Sequence, residues 1–212
     1  MNHKQGAETV IDLTPVGSED TKIMNLNKLM DSMKSDPDLG FIEQDALPAV
    51  LLSLYASTRC DYNPFFAGIG KGSFLKAFYT HAEFICSDGS FNTNNEQGYL
   101  SFLRLVGTAY FLMYRGTYQG TKSPIHLFHS CNSISALEKH IMWLNKIRKH
   151  VWVHTQEEKN LLPSHTALRF QWLRALWVVH MWSQACSQHT ELLPPTQYGW
   201  KKARQHLYIP LG

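Results

Sequence analysis

Two glycines one residue apart, Gly68 and Gly70, separate two stretches of helical periodicity, and this pattern limits the possible folds more than any other in the chain. Glycine has no Cβ and enters the positive-φ region at little cost, so the pair suits a tight turn. Ahead of it, Glu43 to Thr58 carries Val50, Leu51, Leu54 and Tyr55 as an apolar stripe, with Pro48 in the first turns where it does least damage. Behind it, a helix opening at Gly72 or Ser73 should run to about Ile85. Phe74, Leu75, Phe78, Ala82 and Ile85 share one face of that helix, and Ser73, Lys76, Thr80 and Glu83 share the other. Ile69 is the apolar plug between the two helices. The segment 60–83 therefore reads as a helix-hairpin-helix.

The remaining periodicity is helical as well. Asn25 to Lys34 places Leu26, Leu29, Met30 and Met33 on one side. Tyr99 to Tyr114 is amphipathic through Phe102, Leu103, Val106 and Tyr110. Ser133, or Ser135 with Glu138 three residues on, opens a helix to about Val153. Pro163 and Ser164 open a last one to about Ser187. There Leu168, Trp172, Ala175, Val179 and Trp182 recur at heptad-like spacing, which predicts a central position. Residues 116–132 read as loop. A parallel α/β sheet would need several strands alternating with helices, and only Thr9 to Leu13 resembles a strand. The expected fold is mainly α: a flexible segment at 1–22, a helical domain at 23–190, and an irregular tail at 191–212, with little or no sheet.

Charge is divided along the chain. Residues 1–120 hold 9 Lys/Arg against 13 Asp/Glu, and residues 121–212 hold 11 against 4. A basic half can attract phosphate, and it can equally be a solvated helix face. Cys60, Cys86, Cys131 and Cys186 form no CxxC pair, which suits a reducing, intracellular compartment. No apolar run reaches the roughly 18 residues of a membrane span, so no membrane partner is expected.

The hairpin has the chemistry of an anion site. Gly68 and Gly70 let a phosphate approach the backbone. The free N–H groups and dipole at the start of the next helix favour negative charge, and Lys71 and Lys76 add cations nearby. The same residues also suit an αα-hairpin whose glycines do no more than permit the turn. His126, His129 and Cys131 offer three zinc ligands without a fourth nearby. His150 and His154 are four apart, but no Glu follows the first as in HExxH, so both read as surface residues. Trp172, Trp177 and Trp182 share one helix with the apolar repeat, which favours core packing over base stacking.

The stretch Cys60-Asp61-Tyr62, then Gly68-Ile69-Gly70-Lys71-Gly72-Ser73-Phe74-Leu75-Lys76, resembles the helix-hairpin-helix of flap endonuclease and XPG-type nucleases. Still more closely it resembles uncharacterised PIN-like proteins of invertebrates and fish with a GCDY…GIGK core. The flanks LPAVLLSLYAST, LRLVGTAYF, LPSHTALRFQWLRALWVVHMWSQA and LPPTQYGWK extend the likeness from Asn25 to Lys202. The resemblance implies that Asp61 is one of a set of acids holding divalent metal, and that Gly68, Gly70 and Lys71 hold a DNA backbone. Gly72, Ser73 and Lys76 complete the candidate nucleic-acid-binding set.

Two departures shape the expectation. Arg59 stands where the family usually has glycine. The family's other acids come from an α/β PIN core, and the region upstream of Cys60 is too short to hold one; Asp12, Glu19 and Asp20 lie there in polar sequence. Two-metal catalysis needs several converging carboxylates, which Asp61 alone does not supply. The chain therefore reads as the C-terminal helical portion of such a protein, binding DNA (duplex or flap) by its backbone and without catalysis. Asp61 is then a helix or turn cap, or a latent ligand. No cofactor is expected as the chain stands, and Mg2+ only with a complete acidic site. The alternative is a helical module that docks on a separate PIN-like half and has no nucleic-acid role. The expected location is intracellular, in the nucleus if DNA is the partner.

Overall fold

A computed structural model describes residues 31–208, apart from 41, 44, 59, 88–90, 92, 122, 156, 186, 190, 204 and 205. The strand-like Thr9–Leu13, the acids Asp12, Glu19 and Asp20, Arg59, Cys186 and most of the Asn25–Lys34 helix lie outside the described residues. The chain divides into two compact units, Met1–Pro48 and Ala49–Gly212. In the first, residues 31–34 are helical and Pro37–Leu39 forms a 3-10 turn.

The rest is mainly helical, as the periodicity predicts. In order come α1 (Leu47–Thr58), α2 (Lys71–Ile85), α3 (Glu96–Met113), α4 (Pro124–His129), α5 (Ala136–His154) and α6 (His165–Ser183). Short 3-10 turns lie at Arg115–Thr117, Glu158–Asn160 and Pro195–Tyr198. The chain then forms a small antiparallel hairpin, β1 (Lys201–Ala203) with β2 (His206–Tyr208), in which Lys202 faces Leu207. None of the described helices is long and apolar enough to cross a membrane.

The helix starts follow local chemistry. Ser135 caps α5 by accepting from the Glu138 N–H, and Ser164 caps α6 by accepting from Ala167 N–H at 3.2 Å. Ser135, not Ser133, is the cap; Ser133 instead donates to the Glu138 carboxylate at 2.8 Å. The loop expected at 116–132 contains α4, capped by Ser123 with Pro124 in the first turn.

The central helix is α3, not α6. Every residue from Gly98 to Phe111 is buried, and α2, α4, α5 and α6 all pack on it. The reason is composition around the whole circumference. Helix α6 leaves His165, Thr166 and Arg169 exposed, whereas α3 beyond its first turn is apolar or small on every side apart from one basic residue, Arg104. A helix hydrophobic all round belongs in the interior.

Arg104 is reconciled with that interior by hydrogen bonds. Its Nε donates to the Ile85 carbonyl at 3.1 Å, and one terminal nitrogen donates to Ser101 Oγ at 3.1 Å. The other lies 3.1 Å from His140 Nε2. His140 Nδ1 is 2.7 Å from the Ala136 carbonyl, so that nitrogen carries the proton and Nε2 accepts from Arg104. Gly107 lets α5 approach closely, since a Cβ there would strike the fully buried ring of Trp143.

Helix α1 packs elsewhere. Its Ala56 joins Ala175 and Val178 of α6 in a small apolar cluster bordered by Cys60, Trp177 and Trp182. The tail, read as irregular, is held to α6. Arg174 is buried and donates twice to the Gly199 carbonyl, at 2.9 and 3.1 Å, and Trp177 Nε1 donates to the Leu193 carbonyl at 3.0 Å. Burial lowers the pKa of Arg174 from its usual value.

Candidate nucleic-acid interface

The hairpin between α1 and α2 consists of two turns. In the first, the Asn63 N–H donates to the Cys60 carbonyl at 3.1 Å. Asn63 is buried, and its Nδ2 donates to the carbonyls of Ala56, at 3.2 Å, and Gln171, at 3.1 Å. Gln171 returns the contact through Nε2 to the Pro64 carbonyl at 2.8 Å. The hydrogen bonds from Asn63 to the Gln171 carbonyl and from Gln171 to the Pro64 carbonyl staple the hairpin to α6. Sequence reading did not single out Asn63 or Gln171, because the two bonds that join their segments span more than a hundred residues of chain.

The second turn closes with Ile69 N–H donating to the Phe66 carbonyl at 3.2 Å. Ile69 is buried, as a plug should be. Phe66 lies against Phe74 and Tyr110, with ring centroids 5.0 and 6.2 Å away. Gly68 has φ 75°. A Cβ there would also press on Met113 at 3.2 Å and Asn160 Oδ1 at 3.3 Å, so the backbone favours glycine and the packing around it is tight. Gly70 differs from the expectation. Its φ of −82° and ψ of 166° are ordinary extended values, open to any residue.

Helix α2 opens at Lys71 with Gly70 as its cap, and no side chain accepts from its first turn. The Ser73 N–H reaches back to the Gly70 carbonyl at 3.0 Å, while those of Lys71 and Gly72 have no carbonyl ahead of them in the ladder. A Cβ built on Gly70 or Gly72 would meet nothing within 4 Å, so the space before the helix is open. Gly72, Ser73 and Lys76 are exposed. On the inner face, Phe74, Ala77, Phe78, Ala82 and Ile85 are buried. Leu75, expected among them, is exposed, and Ala77 takes the position instead. His81 departs from helical geometry at φ −140° and kinks the helix.

Lys71 does not stand free beside Ser73. Its Nζ lies 3.1 Å from the centroid of the Tyr55 ring, a cation–π contact. Tyr55 in turn leans on Trp182, 6.0 Å between centroids. With Cys60, Asp61 and Asn63 these residues line a bowl of about 490 Å³. Asp61 is exposed and forms no hydrogen bond or ion pair among the described residues, so it caps no turn there. Burial foremost pushes the Cys60 thiol above its usual pKa, against the pull of backbone hydrogen bonds and Lys71. That thiol is therefore a poor nucleophile.

Among the described residues, no group of three or more His, Cys, Asp or Glu side chains converges on a possible metal position. Cys131 is buried with its Sγ 3.5 Å from the Leu127 carbonyl, apart from any such group. His150 and His154 stack on each other at 4.3 Å, and His150 stacks on Tyr118 at 3.6 Å.

Of the six expected nucleic-acid residues, the structure brings Gly72, Ser73 and Lys76 to one open face. It places Gly68 inside the turn, Gly70 at the cap, and the Lys71 side chain over Tyr55. Comparison of the chain with family models, with curated proteins and with solved structures gave no match.

Proposed function

We propose that the chain binds the backbone of duplex DNA, without sequence preference and without cutting it, through the first turn of α2. The open approach to that turn carries the reading. Amide N–H groups and the positive end of the helix dipole face space that no Cβ or capping side chain fills. Ser73 and Lys76 border that space with a hydroxyl and a cation. Lys71 contributes its backbone N–H and, from over Tyr55, a longer-range charge.

The test is a titration of fluorescently labelled duplexes of two unrelated sequences across a range of salt. Lys76→Glu should weaken both equally, and should reduce the slope of log affinity against log salt by about 1. No detectable duplex binding at low salt, or a loss confined to one sequence, overturns the reading.

A second reading, docking on a separate PIN-like half, has its own support. Tyr55, Tyr62 and Phe65 are exposed, Phe65 by 66%, and all three lie on α1 and the hairpin. Exposed aromatic groups near one another are common at protein interfaces. Substituting Phe65 by Ser should then weaken association with such a partner and leave DNA affinity unchanged.

A further inference from the structure

Helix α5 carries a stripe on its outer face that the hairpin reading does not use. Asn145, Arg148, Lys149 and Trp152 are all exposed and recur at the spacing of one helix face. Of the six tryptophans in the chain, Trp152 alone is exposed, at 63%. The stripe forms one wall of a groove of about 320 Å³, and Glu158 and Leu161 form the other. That volume lies at the small end of the roughly 300–1,000 Å³ range of ligand sites. It is enough for one nucleotide.

The cations of α5 have two fates. Lys139 sits over the Phe128 ring at 4.6 Å, and Lys146 donates to the Ser130 carbonyl and hydroxyl at 3.2 Å. Among the described residues, Arg148 and Lys149 have no ion pair or hydrogen bond, and Trp152 touches no other ring. The two uncommitted cations are the ones that share a groove with the exposed indole. A basic helix face is often no more than a solvated one, which accounts for Arg148 and Lys149 alone. It does not account for an indole left in water one turn further on.

The far wall ties this groove to the hairpin. Asn160, between Glu158 and Leu161, places its side-chain oxygen 3.3 Å from where a Cβ on Gly68 would be. The Leu161 carbonyl accepts from Tyr110 Oη at 3.3 Å, which anchors the wall to α3. The turn at Gly68 and the groove at Trp152 thus flank one short, fixed segment.

We propose that this groove binds an unpaired nucleotide of single-stranded DNA. The base stacks on Trp152, and Arg148 and Lys149 contact the adjoining phosphates. An indole beside free cations is the arrangement that holds single strands without reading sequence. Glu158 on the opposite wall keeps the phosphate on the α5 side. The site is separate from the first turn of α2 and stands whether or not that turn binds duplex.

The experiment measures binding of the full chain to a labelled short oligothymidylate and to a blunt duplex at low salt. Trp152→Ala should weaken oligothymidylate binding about tenfold, with duplex binding and the circular dichroism spectrum unchanged. Trp152→Phe should retain most of the affinity, because a stacking face remains. Reversing both charges, Arg148→Glu with Lys149→Glu, should weaken binding and flatten its salt dependence. Lys76→Glu should leave oligothymidylate binding unchanged, which separates this groove from the hairpin. The proposal is overturned if the oligothymidylate does not bind, if Trp152→Ala binds it as tightly as the parent chain, or if Trp152→Phe loses as much as Trp152→Ala.

Discussion

Gly72 and Gly107 lie on two helices that pack together, α2 and α3, and their surroundings are opposite. Gly107 sits where any side chain would run into Trp143 and Leu144 of α5. Gly72 has nothing within 4 Å of where a Cβ would be. One glycine permits packing, and the other leaves a helix end uncovered. The pair separates an interior with no spare room from a rim that holds space open, and such contrasts are where binding surfaces are found.

The sharpest way to break the contrast is Gly107→Ala. The indole of Trp143 is fully enclosed and cannot swing aside, so over-packing should cost about 1–3 kcal/mol. Urea denaturation would show a lower midpoint with an unchanged slope. An unaltered midpoint would mean that α5 stands further from α3 than the contacts indicate.

A smaller effect should appear with acid. Burial first, and His154 second, hold His150 below its ordinary pKa of 6.5. Its Nε2 lies 2.7 Å from Thr117 Oγ1, which already donates to the Tyr114 carbonyl at 2.7 Å. The imidazole therefore donates to the hydroxyl. Since the folded chain binds this proton less readily than the unfolded chain, the stability contribution is complete above about pH 6.5. It is lost as pH falls through the lower folded value. His150→Phe keeps a ring against Tyr118 and should shrink the drop in urea midpoint between neutral and acidic buffer. An equal drop in parent and variant would place the acid sensitivity elsewhere.

The smallest change should come from Gly72→Ala. With open space around it and no positive φ, alanine should be neutral or stabilise by up to about 1 kcal/mol through the unfolded state. A clear loss of stability would show that the rim is more crowded than it stands here.

The legibility of these features in sequence followed the range of the interactions behind them. Caps are local, so Ser135 and Ser164 could be read from a few neighbours. The same signal was present for α4 in Ser123-Pro124, yet only six residues follow it, too few for a period to register. The left-handed turn at Gly68 was legible, because glycine is the usual occupant of that conformation. The extended Gly70 was not, since nothing in its type distinguishes a turn residue from a cap. The central place of α3 was hidden because its period shows one stripe, Phe102, Leu103, Val106 and Tyr110, and carries no sign that neighbouring helices cover the other sides as well. The redirection of Lys71 onto Tyr55 joins residues on either side of the hairpin, and period and propensity carry no information about it. The exposure of Trp152 was equally hidden, because composition assigns tryptophan to cores and only the packed structure shows one left out.

The bond between Arg174 and Gly199 determines where this domain can be shortened. The proline pair at Pro194-Pro195 invites a cut, since helical character stops well before it. A chain ended there would lose the carbonyl that accepts both guanidinium hydrogen bonds, leaving a positive charge stranded in the interior. Gly199 itself has φ 86° and a close neighbour in the Phe170 carbonyl, so the acceptor is held by a turn few other residues could form. Trp200 then closes over Trp177 at 5.1 Å. For anyone trimming the chain for crystals or fusing a reporter to its end, the usable boundary lies beyond Trp200.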